Sequence, residues 1–408
     1  MYKWLILILL ILATPLKAEQ GTVILISIDG FAATYLAQYP APTLKTLVEK
    51  GLTAESMQPV FPSKTFPNHY SIVTGLYPAQ HGIIENSIYD PEFKSVFRIN
   101  KPKEVTDARW WFGEPIWVTA ELQGVKAATY FYPGSEAAIK QTRPSYWQVY
   151  DGKVSNIQRV NSVLDWLDLP KAQRPHFITL YFSSVDDAGH RFGPNSNEVK
   201  DAIIEVDQAI GHLMAGLKQR GIDQSINLMI TSDHGMAEVP AENSIVIDRY
   251  INYDDIEQAL FTAEIVSIFP KANKLESVYK QLTTKLPAQA TVYKKSELPA
   301  RWQYKDNQRI APLIVVPELG WRLIKQQHLA RWQARQGEVS GNHGYDNAEA
   351  DMQAIFIGHG PAFKAGTKIP SFSNIELYNL MCKILKITPA DNAGNPAWAE
   401  QILNFNLN

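Results

Sequence analysis

Residues able to bind a metal ion recur at separated points of the chain: Asp29, Asp186, His190, Asp233, His234 and His343. All of them offer carboxylate oxygen or imidazole nitrogen. None of them is a thiolate, and the chain has a single cysteine, Cys382, so a cysteine-type structural zinc site is excluded. Mixed imidazole and carboxylate sets suit zinc, with manganese or iron as alternatives. Asp186 and His190 stand four residues apart, and Asp233 and His234 are adjacent and followed by Gly235. Neighbouring side chains of a regular strand point to opposite faces. A turn must therefore re-aim Asp233 or His234, or the two serve opposite sides of a two-metal centre. Taken singly, an aspartate at a strand end is usually a cap or turn residue, and a lone histidine is usually hydrogen-bonded structure. The argument for a metal is joint: separate strand ends and one loop all deliver ligand-type residues.

A second chemical feature is the stretch SKTFPNHYSIVTGLYPAQHGIIEN, from Ser63 to Asn86. Threonine is a poor nucleophile at neutral pH, so Thr65 is either a turn hydroxyl or is activated by something elsewhere in the chain. His69 and His81 lie near it in sequence and read as structural hydrogen-bonding residues. Lys64, next to Thr65, reads as solvated. His212 falls inside a helical pattern, and His328 and His359 have no constellation around them.

The elements that must position these residues are short apolar runs ending in polar residues. TVILISIDG reaches Asp29, HFITLYFSSVDDAGH reads as a strand ending near Asp186, and INLMITSDHG ends at Asp233 and His234. MQAIFIGHG, from Met352 to Gly360, is a further candidate strand. Continuous β-rich runs fit strands covered on both faces. Helical patterns lie between them. TLKTLVEKG, from Thr43 to Gly51, predicts a threonine-capped helix. Asn197 to Gly221 sets Ile203, Val206, Ile210, Leu213 and Leu217 at helical spacing and closes on Lys218, Arg220 and Gly221. Alternating strands and helices predict a doubly wound α/β sheet, in which ligands bind at the carboxyl ends of strands. Residues 245–339 show fewer clean strands and are expected to form an inserted smaller α+β subdomain. The catalytic core is then 19–244 and 340–408.

Lys and Arg total 39 against 41 Asp and Glu, and no basic run interleaves with aromatics, so no nucleic-acid groove is indicated. Residues 1–18 have the parts of a secretory signal peptide: Lys3, the short apolar run WLILILLILA and a small residue, Ala18. That run is short for a bilayer core of roughly 30 Å, so the mature chain is expected to begin near Glu19 without a stable membrane span, an uncleaved anchor being the alternative. A periplasmic or secreted location follows, and avoidance of cysteine is compatible with an oxidising compartment. No protein partner is indicated.

The segment KTFPNHYSIVTGLYPAQHGIIENSIYDP resembles the nucleophile segment of nucleotide pyrophosphatase/phosphodiesterases, in the alkaline phosphatase superfamily. ISIDG, YFYPGSEA, VDDAGHRFGP, TSDHGM and GNHGYDN follow in that family's order. The resemblance covers most of the chain after residue 18 and implies an alkaline phosphatase-like fold with two zinc ions. Asp29, Thr65, Asp233 and His234 match the nucleophile's metal site, and Asp186, His190 and His343 match the other. The resemblance also implies that Asn86 and the backbone N–H of Phe66 bind non-bridging phosphoryl oxygens. Phe66, Tyr150 and Tyr181 match positions that hold the base or other leaving portion, and Tyr132 stands where relatives often have tryptophan. A bound zinc ion lowers the pKa of an oxygen it holds, which would activate Thr65 without a histidine base.

The function so implied is hydrolysis of nucleotide pyrophosphates and phosphodiesters, releasing a 5′-monophosphate. A choline-headed lipid diester or other small diester is an alternative substrate. A sulfatase is disfavoured, because the Cys or Ser motif it needs is absent around Thr65. A metal-stabilised binding protein without catalysis is disfavoured by the intact nucleophile and ligand set. Diesters are expected to be preferred over monoesters, since no arginine matches the site; Arg98 lies downstream with no motif to place it there.

Overall fold

The computed structural model describes residues 21–404, so the N-terminal apolar run lies outside the described residues. An eight-stranded sheet forms the centre, its strands arranged β8-β2-β7-β6-β1-β5-β3-β4. Here β1 is Thr22–Ile28, β2 Leu52–Ala54, β3 Ala127–Tyr130 and β4 Tyr146–Trp147. The remaining strands are β5 Phe177–Phe182, β6 Ile226–Thr231, β7 Phe356–His359 and β8 Thr367–Ile369. β1 is parallel to both β5 and β6, and β7 runs antiparallel to β6. Every residue of β1, β5 and β6 is buried, the outcome expected of parallel strands covered on both faces.

Alternation along these strands supplies two apolar layers. Ile24, Ile26 and Ile28 of β1 join Ile178, Leu180, Leu228 and Ile230 on one face. Helices α1 (Pro42–Lys50) and α4 (Asn197–Gln219) cover that face. Val23, Leu25, Phe177 and Met229 face the other side, with α2 (Thr65–Thr74) and α5 (Leu377–Leu385) packed over them. The long helix α4 is capped by Ser196, whose side chain accepts from the Val199 N–H. The threonine cap expected for α1 is not formed. That helix begins at Pro42, and the carboxylate of Asp207 on α4 accepts from the N–H groups of Thr43 and Leu44 instead.

The apolar run through Asp186 breaks earlier than the sequence indicated. β5 stops at Phe182, and α3 (Ser184–Phe192) follows at once, so Asp186 and His190 lie one turn apart on a helix. Residues 256–317 hold a four-stranded antiparallel sheet, a more regular unit than the sequence showed. One face of that sheet has its own apolar layer, with Val266, Ile268, Leu313 and Val315 under Val278 and Leu282. Its other face, with Phe269, Ile314 and Val316, joins the main core. The Trp302 ring stacks on Phe61 with centroids 3.8 Å apart.

Candidate active site

The parallel register aligns the carboxyl ends of three strands. Ser27 pairs with Tyr181 and with Thr231, so Asp29, the start of α3 and Asp233 emerge at one sheet edge. The Asp29 N–H donates to the Phe182 carbonyl. Asp233 and His234 lie in the turn after β6, held by Gly235, whose N–H donates to Met352 O. A Cβ on Gly235 would stand 2.1 Å from Asp351 O, so this close approach requires glycine. His343 arrives from the strand Val339–Asn342.

Three groups of side chains converge there: Asp186, His190 and His343; Asp29, Asp186 and His234; and Asp29, His69 and Asp233. The His234 Nε2 lies 2.9 Å from Asp233 and 3.5 Å from Asp29. The His190 and His343 Nε2 atoms are 3.1 Å apart, and each lies within 3.7 Å of Asp186. Each of these three imidazoles donates its Nδ1–H to a backbone carbonyl: His190 to Gly341, His234 to Gly235 and His343 to Ser63. That fixes the tautomer and leaves every Nε2 lone pair turned into the cluster, the arrangement a metal ligand needs. Asp29 Oδ1, Asp186 Oδ1 and Asp233 Oδ2 are buried without a hydrogen-bond donor. Orphaned carboxylate oxygens beside bare imidazole nitrogens fit divalent cations.

The electrostatics agree. Burial, with Asp233 and Asp186 alongside, pushes Asp29 well above the usual carboxylate range. Burial also opposes charge on Asp233, yet His234 and His69 hold it well below that range. Burial and the His234 and His190 imidazoles keep His343 well below the usual histidine value.

Thr65 is the first residue of α2, and its Oγ1 lies 3.4 Å from His234 Nε2. His69, one turn on, donates Nδ1–H to the Thr65 carbonyl, and its Nε2 accepts from the Ser27 hydroxyl. Both its nitrogens are engaged, so His69 braces the helix start beside Asp233. His81 is buried, pushed down to about 3 by burial, and bonded to Ser71. His212 bonds to Asn161 away from the cluster.

A cavity of about 350 Å³ opens beside Thr65, lined by Phe66, Tyr132, Tyr150 and Tyr181 as well as Asp29 and Asp186. The four aromatics do not serve alike. Tyr150 is exposed at the rim. The Tyr181 hydroxyl donates to Asp29 Oδ2 at 2.5 Å, and the Tyr132 hydroxyl donates to the His69 carbonyl, so both also brace the cluster. The Phe66 N–H donates to Asn86 Oδ1 at 3.0 Å. These two groups therefore engage each other here.

Lys64 is not solvated. Its side chain is 7% exposed and forms an ion pair with the fully buried Glu264, while its Nζ also donates to Thr262 O. Glu85, absent from the sequence reading, is buried beneath Asn86 and accepts its N–H and that of Ser87. Nothing in the run IIEN distinguishes a buried glutamate from a surface one. The adjacency of Lys64 to Thr65 was the available signal for the other pair. Arg98 also proves close: it lies across from Ser87 in a two-stranded hairpin, one residue beyond Asn86.

A family model described as type I phosphodiesterase/nucleotide pyrophosphatase matches residues 23–346. The venom phosphodiesterase of Macrovipera lebetinus is 40% identical over 390 residues, 93% of this chain and 45% of that protein. Human ectonucleotide pyrophosphatase/phosphodiesterase family member 1 is 40% identical over 392 residues, 93% of this chain and 41% of that protein. The chain thus spans less than half the length of these curated relatives. Murine ectonucleotide pyrophosphatase/phosphodiesterase 5 superposes with a TM-score of 0.86 at 32% identity, over 94% of this chain and 100% of that one. An inactive threonine-to-alanine variant of that murine protein, in complex with AMP, superposes with a TM-score of 0.87 at 32% identity, with the same coverage. With this fold, this site and a family match over most of its length, the chain belongs to the type I phosphodiesterase/nucleotide pyrophosphatase family of the alkaline phosphatase superfamily.

Proposed function

We propose that this protein hydrolyses nucleotide phosphodiester or pyrophosphate bonds through Thr65 with two zinc ions, releasing a nucleoside 5′-monophosphate. The observation that carries the reading is the position of Thr65. It stands at the start of a ten-residue helix, between bare imidazole and carboxylate donors on one side and an aromatic cavity on the other. Asp29, Asp233 and His234, with Thr65, would hold one ion, and Asp186, His190 and His343 the other. When bound, such a pair supplies Lewis-acid stabilisation of the attacking and leaving oxygens of an in-line displacement.

The remaining chemistry belongs to the chain. The α2 N-terminus favours negative charge at Thr65 Oγ1 and at the phosphoryl oxygens. Asn86 donates to one of those oxygens. Thr65 Oγ1 forms the new bond to phosphorus as the bond to the leaving oxygen breaks. Water then cleaves the Thr65 ester, restoring the hydroxyl. Phe66 and Tyr150 receive the base in the cavity, in keeping with the AMP held by the murine relative. The same reading takes residues 1–18 as an export signal, places the mature enzyme in the periplasm or outside the cell, and treats 245–339 as an insertion.

The test pairs two substrates, the nitrophenyl diester of thymidine monophosphate and nitrophenyl phosphate. Stacking of a base on aromatics is worth roughly 1–3 kcal/mol. The diester should therefore lead by at least about tenfold in kcat/KM, and Phe66→Ala should narrow that lead. Thr65→Ala should remove nearly all turnover while binding metal and nucleotide. Turnover by the metal-loaded alanine variant at the wild-type rate would reduce Thr65 to a ligand or turn residue.

A further inference from the structure

A second cavity, of about 440 Å³, adjoins the site and is lined by Arg98, Arg322, Lys325 and Arg331 with no carboxylate among its walls. Three of its other lining residues are one step from the reaction centre. Ser87 follows Asn86, Asn342 precedes His343, and Thr262 accepts from the Lys64 that precedes Thr65. The cavity shares no residue with the aromatic one, and the boundary runs along the hairpin. Ile99 lines the aromatic side, and its N–H donates to the Asn86 carbonyl, while Arg98 lines the cationic side.

None of the four cations forms an ion pair among the described residues. The nearby buried acid, Glu264, is already neutralised by Lys64. Arg322 is fully buried. Its Nη2 donates to Val239 O and Ser340 Oγ, its Cζ lies 3.7 Å from the centre of the Trp332 ring, and its Nε and Nη1 have no hydrogen-bond partner. A buried guanidinium with unmet donors beside the exposed Arg98 and Arg331 and the half-buried Lys325, in a cavity with no carboxylate wall, is a positive site. Such a site calls for an anion with several charges.

We propose that this cavity receives the phosphates of the leaving portion of the substrate, those beyond the scissile phosphorus. The nucleoside lies in the aromatic cavity, the reacting phosphate at Thr65, and the polyphosphate tail extends past Asn86 and His343 toward Arg98, Lys325 and Arg331. The inference rests on the proposed diester and pyrophosphate hydrolysis and narrows its substrates to nucleoside polyphosphates over diesters with an uncharged leaving group.

The experiment compares thymidine triphosphate with the nitrophenyl ester of thymidine monophosphate, which share a nucleoside and differ in the leaving group. In the combined variant Arg98→Ala, Lys325→Ala, Arg331→Ala, kcat/KM for the triphosphate should fall by at least about tenfold while the ester is unaffected. The charge-keeping variant Arg98→Lys, Lys325→Arg, Arg331→Lys should retain the preference, and added salt should erode it in the wild type. An unchanged ratio in the alanine variant, or an equal fall for both substrates, overturns the proposal. If the wild type cleaves neither compound, the hydrolase reading fails on its own. Calorimetric binding of inorganic triphosphate to the metal-loaded protein then decides the cavity: binding lost in the alanine variant upholds it, and equal binding overturns it.

Discussion

Glu85 is the residue through which burial acts most directly on the loop that carries Asn86. Its Oε2 accepts the Asn86 N–H at 2.8 Å, while its Oε1 is buried with no donor. Burial raises it from 4.5 to about 7, although Lys64 nearby favours the charged form. Between these values the folded carboxyl keeps a proton that the unfolded one releases. Its contribution to stability therefore falls as pH rises through that window. At 1.36 kcal/mol per unit the effect is bounded at about 3 kcal/mol. Glu85→Gln keeps the acceptor and abolishes the titration. Urea unfolding at about pH 5 and about pH 8 should show the wild type losing more stability than the variant. Equal losses would mean that Glu85 is ionised throughout. At this scale the metal-type residues were legible in the sequence because their chemistry is carried by residue type. Glu85 and Glu264 were not, because a glutamate in a short loop looks the same whether the fold buries it or leaves it in water.

Between elements, the chief link at the site joins the start of α2 to the small antiparallel sheet. Glu264 sits in the turn joining Ile256–Phe261 to Val266–Pro270, and it reaches Lys64 at the N-cap of the helix that presents Thr65. The lysine stem passes over Gly344, whose φ is +116°. A Cβ there would stand 2.3 Å from Lys64 Cε, so the residue after His343 has to be small for the link to close. Glu264→Leu strands a buried ammonium group and should cost about 3–5 kcal/mol in chemical denaturation. Adding Lys64→Met should recover most of that loss, because an apolar pair of similar volume carries no desolvation penalty. A single variant as stable as the wild type would show that the pair is not coupled to folding. The strands β1 and β6 could be read from sequence because burial on both faces makes them continuous apolar runs. The small sheet could not, because one face packs on its own helix and the other on the main core, which mixes two alternating patterns. The sequence reads Asp186 and His190 as lying at a strand end because only Ser183 separates β5 from α3, with no glycine or proline to mark the break.

Across the whole molecule, the candidate metal ligands are carried by segments far apart in sequence, which the pairing of β1 with β6 and the packing of α3 on the strand Val339–Asn342 bring to one end of the sheet. Asp29 follows β1, Asp186 and His190 ride on α3, Asp233 and His234 follow β6, and His343 follows the strand Val339–Asn342. Asp186 and Asp233 stand close enough to Asp29 that, on top of its burial, each raises the cost of ionising it. Without a cation, closing the sheet edge forces these carboxylates and the facing imidazoles of His190 and His343 together. In the unfolded chain they are far apart and hydrated. A divalent ion that binds only the folded arrangement therefore stabilises the entire fold, by about 2.7 kcal/mol for each site at a hundredfold excess over Kd. Chelation should lower the thermal midpoint by several degrees, and zinc should restore it in a concentration-dependent way. Asp29→Asn relieves part of the repulsion and removes a ligand, so its midpoint in chelator should lie closer to its midpoint in zinc than the wild type's does. Scanning calorimetry of both proteins, with the metal content measured in each state, makes the comparison. A wild-type midpoint that does not move when the ions are shown to have left would mean that the core and the small sheet hold this edge closed unaided.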